Sequence, residues 1–287
     1  MSASAIALAL AAGPKPVEAA EIACTRWVGA TDPLDVILKD LPLEPECRWA
    51  RFTGEIEPGD YEKVRSFFKQ HYLTLQSISL RSPGGDVSEA LKIGSLWRKY
   101  LVSVTTPFRR EGAKGGDFFT LDPDDPCEGQ TCICASSCAL MWFGAVSRFG
   151  IVGIHRPKIT APEFISLPAD QAAWVYKRTL DAVSRYLEDM EAPRSVLDHM
   201  RETSSADISW INDPGESKFE NPPSFREWID ASCGSYSDQD ARQRYTVGKR
   251  GSAERRAKSW ELSVKQNDRY ICQRKLINEQ LRKLPPP

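Results

Sequence analysis

The stretch Cys134–Pro157, CASSCALMWFGAVSRFGIVGIHRP, places two adjacent serines, Ser136 and Ser137, between two cysteines and carries His155, one of 3 histidines in the chain. Upstream, Ser82–Gly85 (SPGG) reads as a strand-to-helix junction. Glycines there leave backbone N–H groups uncovered, while a helix start adds unpaired N–H groups and the positive end of a dipole. Both places favour developing negative charge. If they stand at the carboxyl ends of neighbouring parallel strands, the Gly85 and Cys138 N–H groups converge on the oxygen of a carbonyl attacked by Ser137. A strand-borne His155 then takes the serine proton, provided that a carboxylate orients its other nitrogen. That chemistry is acyl transfer. Each piece alone has a blander reading: SPGG is a common tight turn, a serine pair commonly caps a helix, and a lone histidine is commonly structural. Their order along the chain makes the case.

The elements that must position these groups follow from patterning. Trp49–Ile56 (WARFTGEI) reads as a strand, and Asp60 reads as the cap of a helix with Val64, Phe67 and Phe68 on one face. Leu75–Ser82 is a second strand running into the SPGG turn, and Asp86 with Glu89 has capping-box spacing for a helix through Tyr100. LVSVTT, from Leu101, returns as a strand. Strand, helix, strand, helix, strand implies parallel pairing and an α/β fold. Residues 107–131, rich in Gly, Pro and charge, read as a long surface loop. TCICA is expected as a short strand, SSCALMWFG as a helix and IVGIH as a strand. An amphipathic helix over about 168–190 follows, with Val175, Thr179, Val183, Tyr186 and Met190 in one stripe. Three divisions result: a leader (1–20), an α/β domain (21–213), and a charged helical appendage (214–287) holding Cys233 and Cys272.

Bulk properties exclude several classes. A formal net charge of -1 on 287 residues gives no electrostatic case for nucleic acid. The apolar run Ala5–Ala12 is too short to span a bilayer and lacks a basic flank, but with the small residues near Val17–Ala20 it reads as an export leader. The 8 cysteines then point to several disulfides in an oxidising compartment, periplasmic or secreted. Cys127, Cys132, Cys134 and Cys138 fit no familiar zinc spacing, so no metal is expected, nor any other cofactor.

SLRSPGGDVSEALKIG followed by CASSCALMWFGAVSRFGIVGIHRP resembles the ClpP-like serine peptidases of the ClpP/crotonase superfamily, in particular exported relatives. The resemblance covers roughly Trp49–Trp210. It implies a parallel β-α superhelix core and a serine peptidase that works through an acyl-enzyme without ATP. It carries the nucleophile onto Ser137, the base onto His155, and the oxyanion hole onto the Gly85 and Cys138 N–H groups. The family's aspartate matches Asp207, with Glu202 and Asp198 as substitutes. The residue after the serine, Met in the family, is Cys138 here, and the serine-to-histidine gap is shorter. Implied partners are a peptide or protein substrate and further copies of the chain, joined through the 168–190 helix. Two other readings stand beside this one. One is an inactive scaffold of the same fold that binds a partner protein. The other is acyl-CoA chemistry, disfavoured because no acidic residue lies between Cys132 and His155.

Overall fold

The computed structural model describes residues 19–25, 47–109, 118–120, 127, 132–159, 162–211, 221–236, 240 and 253–287. The leader up to residue 18, most of the 107–131 loop and the 213/214 boundary lie outside them. Strands β1 (Glu21–Thr25), β2 (Trp49–Thr53), β3 (Ser77–Arg81), β4 (Ser103–Thr105) and β7 (Ser147–Phe149) form one sheet in the order β1-β2-β3-β4-β7. Only β1 is antiparallel to its neighbour. The fold is therefore mixed α/β with a mostly parallel sheet, as the strand–helix alternation implies. Helices α1 (Asp60–His71) and α2 (Val87–Lys99) make the first two parallel crossovers. Between β4 and β7 lie the short pair β5 (Phe108–Arg109) and β6 (Phe118–Phe119) and helix α3 (Ser137–Gly144).

A second, smaller ladder starts where the main sheet stops. Ser82, just past β3, bridges Cys134; Ala135 bridges Gly153 in β8 (Val152–Ile154); and β8 pairs antiparallel with β9 (Ser209–Ile211). Of the expected TCICA strand, the described residues 132–135 keep two bridge residues, Cys134 and Ala135. The segment feeds straight into α3, so it has no length for a ladder of its own. β7 and β9 are only three residues each, below what alternation can reveal.

After β8 come α4 (Pro162–Ile165), α5 (Ala169–Asp189) and α6 (Arg194–Glu202); α7 (Pro223–Cys233) and α8 (Ala253–Leu281) follow β9. The α5 stripe is buried only in its second half. Val183, Tyr186 and Met190 are enclosed, whereas Val175 and Thr179 are half-buried and Trp174 is 58% exposed. The C-terminal helices join the main core through Phe225, Ile229, Ile277 and Leu281. Cys233–Cys272 ties α7 to α8, and Arg269 pairs with Asp230 at 2.7 Å.

One local expectation is corrected. Asp60 is the first residue of α1, and the cap position belongs to Gly59. Asp60 instead accepts from Glu57 N–H (2.7 Å) and pairs with Lys63 (2.7 Å). The α1 start is capped from a distance by Glu89, which accepts from Gly59 N–H (3.2 Å), Tyr61 N–H (2.8 Å) and Lys92 Nζ (2.8 Å). Asp86 caps α2 through Glu89 N–H (2.8 Å) as expected. Glu89 does not return the bond, because Asp86 N–H already donates to Ile56 O (2.7 Å). Burial pushes the Glu89 carboxyl up. The Lys92 hydrogen bond, the Tyr61 N–H, the Lys92 charge and the Gly59 N–H outweigh it and hold the group below its usual value.

All eight cysteines are paired: Cys24–Cys47, Cys127–Cys132, Cys134–Cys138 and Cys233–Cys272. Four disulfides fit an oxidising compartment. No helix among the described residues is long and apolar enough to cross a membrane.

Candidate active site

The site is built where two helices begin. α2 follows the SPGG turn and α3 follows the serine pair, so the packing of α2 on α3 sets the distance between the two turns. That packing is backbone on backbone: a Cβ added to Gly144 would lie 2.3 Å from Gly94 O and 2.5 Å from Gly94 Cα. Opposite, Tyr186 closes the gap. Its hydroxyl donates to Leu140 O (2.7 Å) and sits where a Gly94 Cβ would point. Burial raises the Tyr186 pKa, so the hydroxyl stays a donor.

In the SPGG turn, Gly84 and Gly85 both take positive φ (109° and 135°). A side chain at Gly85 would collide with Ile56 O (2.1 Å), and one at Gly84 would meet Ser136 Cβ at 2.6 Å. Both glycines are therefore required by close approach as well as by conformation. Ile56 N–H donates to Gly84 O (2.8 Å), and Gly84 N–H donates to Ser82 Oγ (3.1 Å). In a trans peptide the N–H points opposite the carbonyl. Gly84 O faces Ile56, so the Gly85 N–H points to the other side, where the serine pair lies.

The two serines have different roles in the geometry. Ser137, the first residue of α3, is buried (2% exposed), and its Oγ donates to Gly85 O at 3.1 Å. Ser136, the cap residue, is half-buried and has φ 59° and ψ -128°. Its N–H donates to Gly153 O (2.9 Å), and its side chain faces the Gly84 backbone. A non-glycine residue in this region stores about 1–3 kcal/mol. The turn holds it from both sides. Cys134 is in the small ladder, with Gly153 N–H donating to its carbonyl (2.8 Å), and Cys138 is in the first turn of α3. The Cys134–Cys138 bond closes a loop of sequence separation 4, a constraint of about 2 kcal/mol on the unfolded chain. That is the same size as the strain it brackets.

The Cys138 N–H donates to Ala135 O (3.1 Å), which engages the second expected oxyanion donor in closing the turn. The N–H next to Ser136 on its C-terminal side is that of Ser137. It stands at the first position of α3, where an intrahelical partner is not expected.

His155 lies at the C-terminal end of β8. Since Ala135 bridges Gly153, Ser136 is one residue and His155 two residues beyond a point where the backbones run a strand spacing (~4.8 Å) apart. The His155 Nδ1 lies 2.7 Å from Arg156 O. A carbonyl only accepts, so Nδ1 carries the proton in the neutral ring and Nε2 is left with its lone pair. The β8–β9 ladder ends at Ile154 and Ser209; beyond it Arg156 N–H donates to Thr203 O (3.0 Å), and Asp207 lies in a turn with its N–H on Ser204 O (3.1 Å). Asp207 is exposed, and among the described residues no hydrogen bond or ion pair joins it to His155. Asp198 and Glu202 lie on α6 and likewise make no hydrogen bond or ion pair with the imidazole among the described residues. The structure thus gathers Gly85, Ser136, Ser137, Cys138 and His155 around one strand end, and leaves the three acids outside hydrogen-bond contact.

The far end of α3 is held by two arginines that sequence reading did not single out. Arg98 Nε donates to Gly144 O (3.1 Å), and its Nη2 donates to Phe143 O (3.2 Å) and Met190 O (3.0 Å). Arg148, 4% exposed, donates to Ala145 O (3.1 Å), Met190 O (2.8 Å) and Phe143 O. Two guanidinium groups thereby cap the C-terminal ends of α3 and α5, where the helix dipole favours positive charge. Burial and then the charge of Arg98 pull Arg148 down to about 9. The counter-charge is Glu191, which pairs with Arg98 (3.4 Å) and accepts from Ser224 N–H (2.9 Å) and Ser224 Oγ at the start of α7. Arg148 carried a signal, the one charged residue between Cys132 and His155, but no spacing rule names its partners.

The chain matches no family model, and a search of curated proteins finds no match either.

Proposed function

We propose that the protein is a periplasmic or secreted serine hydrolase of ClpP/crotonase-like architecture, an ATP-independent peptidase acting through an acyl-enzyme. The observation that supports it most is Ser136: a strained serine at a strand-to-helix turn, facing a double-glycine turn with an N–H directed toward it. The nucleophile assignment moves from Ser137 to its neighbour, since the Ser137 hydroxyl is buried on the Gly85 carbonyl. In the proposed reaction Ser136 Oγ attacks the substrate carbonyl and His155 Nε2 takes its proton. The Gly85 and Ser137 N–H groups receive the oxyanion. The leaving amine or alcohol then takes the proton from His155. Water, deprotonated by the same nitrogen, adds to the acyl-enzyme, the acyl–Oγ bond breaks, and the proton returns to Ser136 Oγ as the acid leaves. Arg156 O orients the imidazole in the place where the resemblance puts Asp207. Self-association through α5 fits the exposure of Trp174.

The test is covalent labelling by a fluorophosphonate and hydrolysis of an activated ester. Both are expected in the wild type, absent in Ser136→Ala and His155→Ala, and retained in Ser137→Ala at a reduced rate. Absence of labelling in the disulfide-intact wild type refutes the hydrolase. One observation favours the second reading, an inactive scaffold that binds a partner protein: the exposed Asp207 carboxylate makes no hydrogen bond or ion pair with His155. That reading is distinguished by the same labelling.

A further inference from the structure

Resting on the hydrolase reading, we infer that the Cys134–Cys138 disulfide is a positioning device for Ser136, so that the site becomes competent only when this bond closes. The two cysteines bracket the turn. Cys134 is locked into the small ladder by Gly153 N–H, and Cys138 is the second residue of α3, its N–H closing the turn on Ala135 O. Between them only Ala135, Ser136 and Ser137 make the reversal from strand to helix, with the Cα atoms of the bridged pair 5.3 Å apart. The only strongly unfavourable backbone conformation in this span is that of Ser136, at φ 59°. Without the covalent link, Ser136 relaxes toward a favoured conformation, turning its Oγ away from Gly84 and swinging the Ser137 N–H with it. Ser137 Oγ on Gly85 O then loses its alignment too, which uncouples the two turns.

Both sulfurs belong to fully buried residues (0% exposed), unlike the half-buried cysteines of the Cys233–Cys272 bond. Once closed, the bond is therefore shielded from thiols, and the device acts once, at maturation, rather than as a reversible switch. Closure is a thiol–disulfide exchange: the two cysteine thiols lose two protons and two electrons, and one disulfide of an oxidant such as glutathione disulfide becomes two thiols. A chain held in a reducing compartment keeps an unformed nucleophile turn until it reaches an oxidising one.

Two measurements test this. First, fluorophosphonate labelling is compared in the wild type, Cys134→Ala/Cys138→Ala and Cys127→Ala/Cys132→Ala. The last removes a neighbouring disulfide of similar loop size that does not bracket the serine. The expected result is a fall of about 100-fold in the maximal labelling rate for the first variant with unchanged half-saturation, and near wild-type labelling for the control. Equal labelling in the first variant and the wild type overturns the inference and leaves the hydrolase standing. Second, so that the test survives a variant that does not fold, the fully reduced wild-type chain is refolded with glutathione disulfide. Samples are labelled, alkylated and digested with trypsin. The peptide 115–148 carries Ser136 and Cys127, Cys132, Cys134 and Cys138 together. Label is expected only on peptides whose Cys134 and Cys138 escaped alkylation. Labelled peptides with both alkylated overturn the inference. No label on the fully oxidised chain overturns the hydrolase reading, and the inference with it.

Discussion

Gly144→Ala tests whether the contact between α2 and α3 sets the geometry of the proposed hydrolase site. The new methyl would lie 2.3 Å from Gly94 O and 2.5 Å from Gly94 Cα. An ordinary contact is near 3.5 Å, so the two helices must separate by about 1 Å. Both obstructing atoms are backbone, and no side chain can rotate out of the way. Overpacking of this kind costs about 1–3 kcal/mol, offset by up to about 1 kcal/mol from the better helix propensity of alanine. A net destabilisation of about 1–2 kcal/mol leaves a folded protein. The effect on chemistry is larger in proportion. α2 carries the Gly85 N–H and α3 carries Ser136, and a misplacement of about 1 Å between reacting groups costs about 100-fold in rate. The assay is a thermal melt beside the fluorophosphonate labelling rate. Gly59→Ala serves as the comparison, because its φ of 100° makes alanine strained but no atom lies within 4 Å of the added methyl. That variant is expected to lose about 1–2 kcal/mol of stability and keep its labelling rate. A folded Gly144→Ala protein that labels at the wild-type rate refutes the reasoning.

Glu89→Gln is expected to lower stability by about 1–3 kcal/mol at neutral pH, since it weakens a charged cap on α1. The folded pKa of Glu89 lies below its unfolded value, so its contribution is present above the unfolded pKa and lost as pH falls through the folded one. The melting difference between the variant and the wild type should therefore shrink below about pH 4. Asp207→Asn is expected to reduce labelling and ester hydrolysis by less than about tenfold, against the roughly 10⁴-fold loss typical when a triad aspartate is neutralised. A loss of the larger size shows that Asp207 reaches His155 during turnover. Cys233→Ala/Cys272→Ala opens a loop of sequence separation 39 and should cost about 4 kcal/mol of stability, read by denaturant melting.

The strand–helix alternation from Trp49 to Thr105 was legible because turn residues bound each strand and each helix has an apolar face, whereas β1 was not, and the Asp60 cap was misplaced by one residue. The SPGG turn, the serine pair and the histidine were legible by residue type. Which serine the turn strains and which it buries was not. Ser136 and Ser137 are chemically identical in sequence, and only the backbone conformation separates the strained cap residue from the buried first helical residue. The Cys138 donor failed for a related reason, because the acceptor that engages it, Ala135 O, is created by the turn itself. Glu89 was legible as a box residue but not as the cap of another helix, where it reaches Gly59 across 30 residues of chain. The paired arginines at the ends of α3 and α5 bind main-chain carbonyls, and carbonyls leave no trace in a sequence.

The most direct test of the central claim is the location of the phosphonate adduct on the wild-type protein, read by fragmenting the tryptic peptide 115–148, which contains Ser136, Ser137 and Ser147. The account predicts a single adduct on Ser136. An adduct on Ser137, or none on an intact, fully oxidised chain, contradicts it.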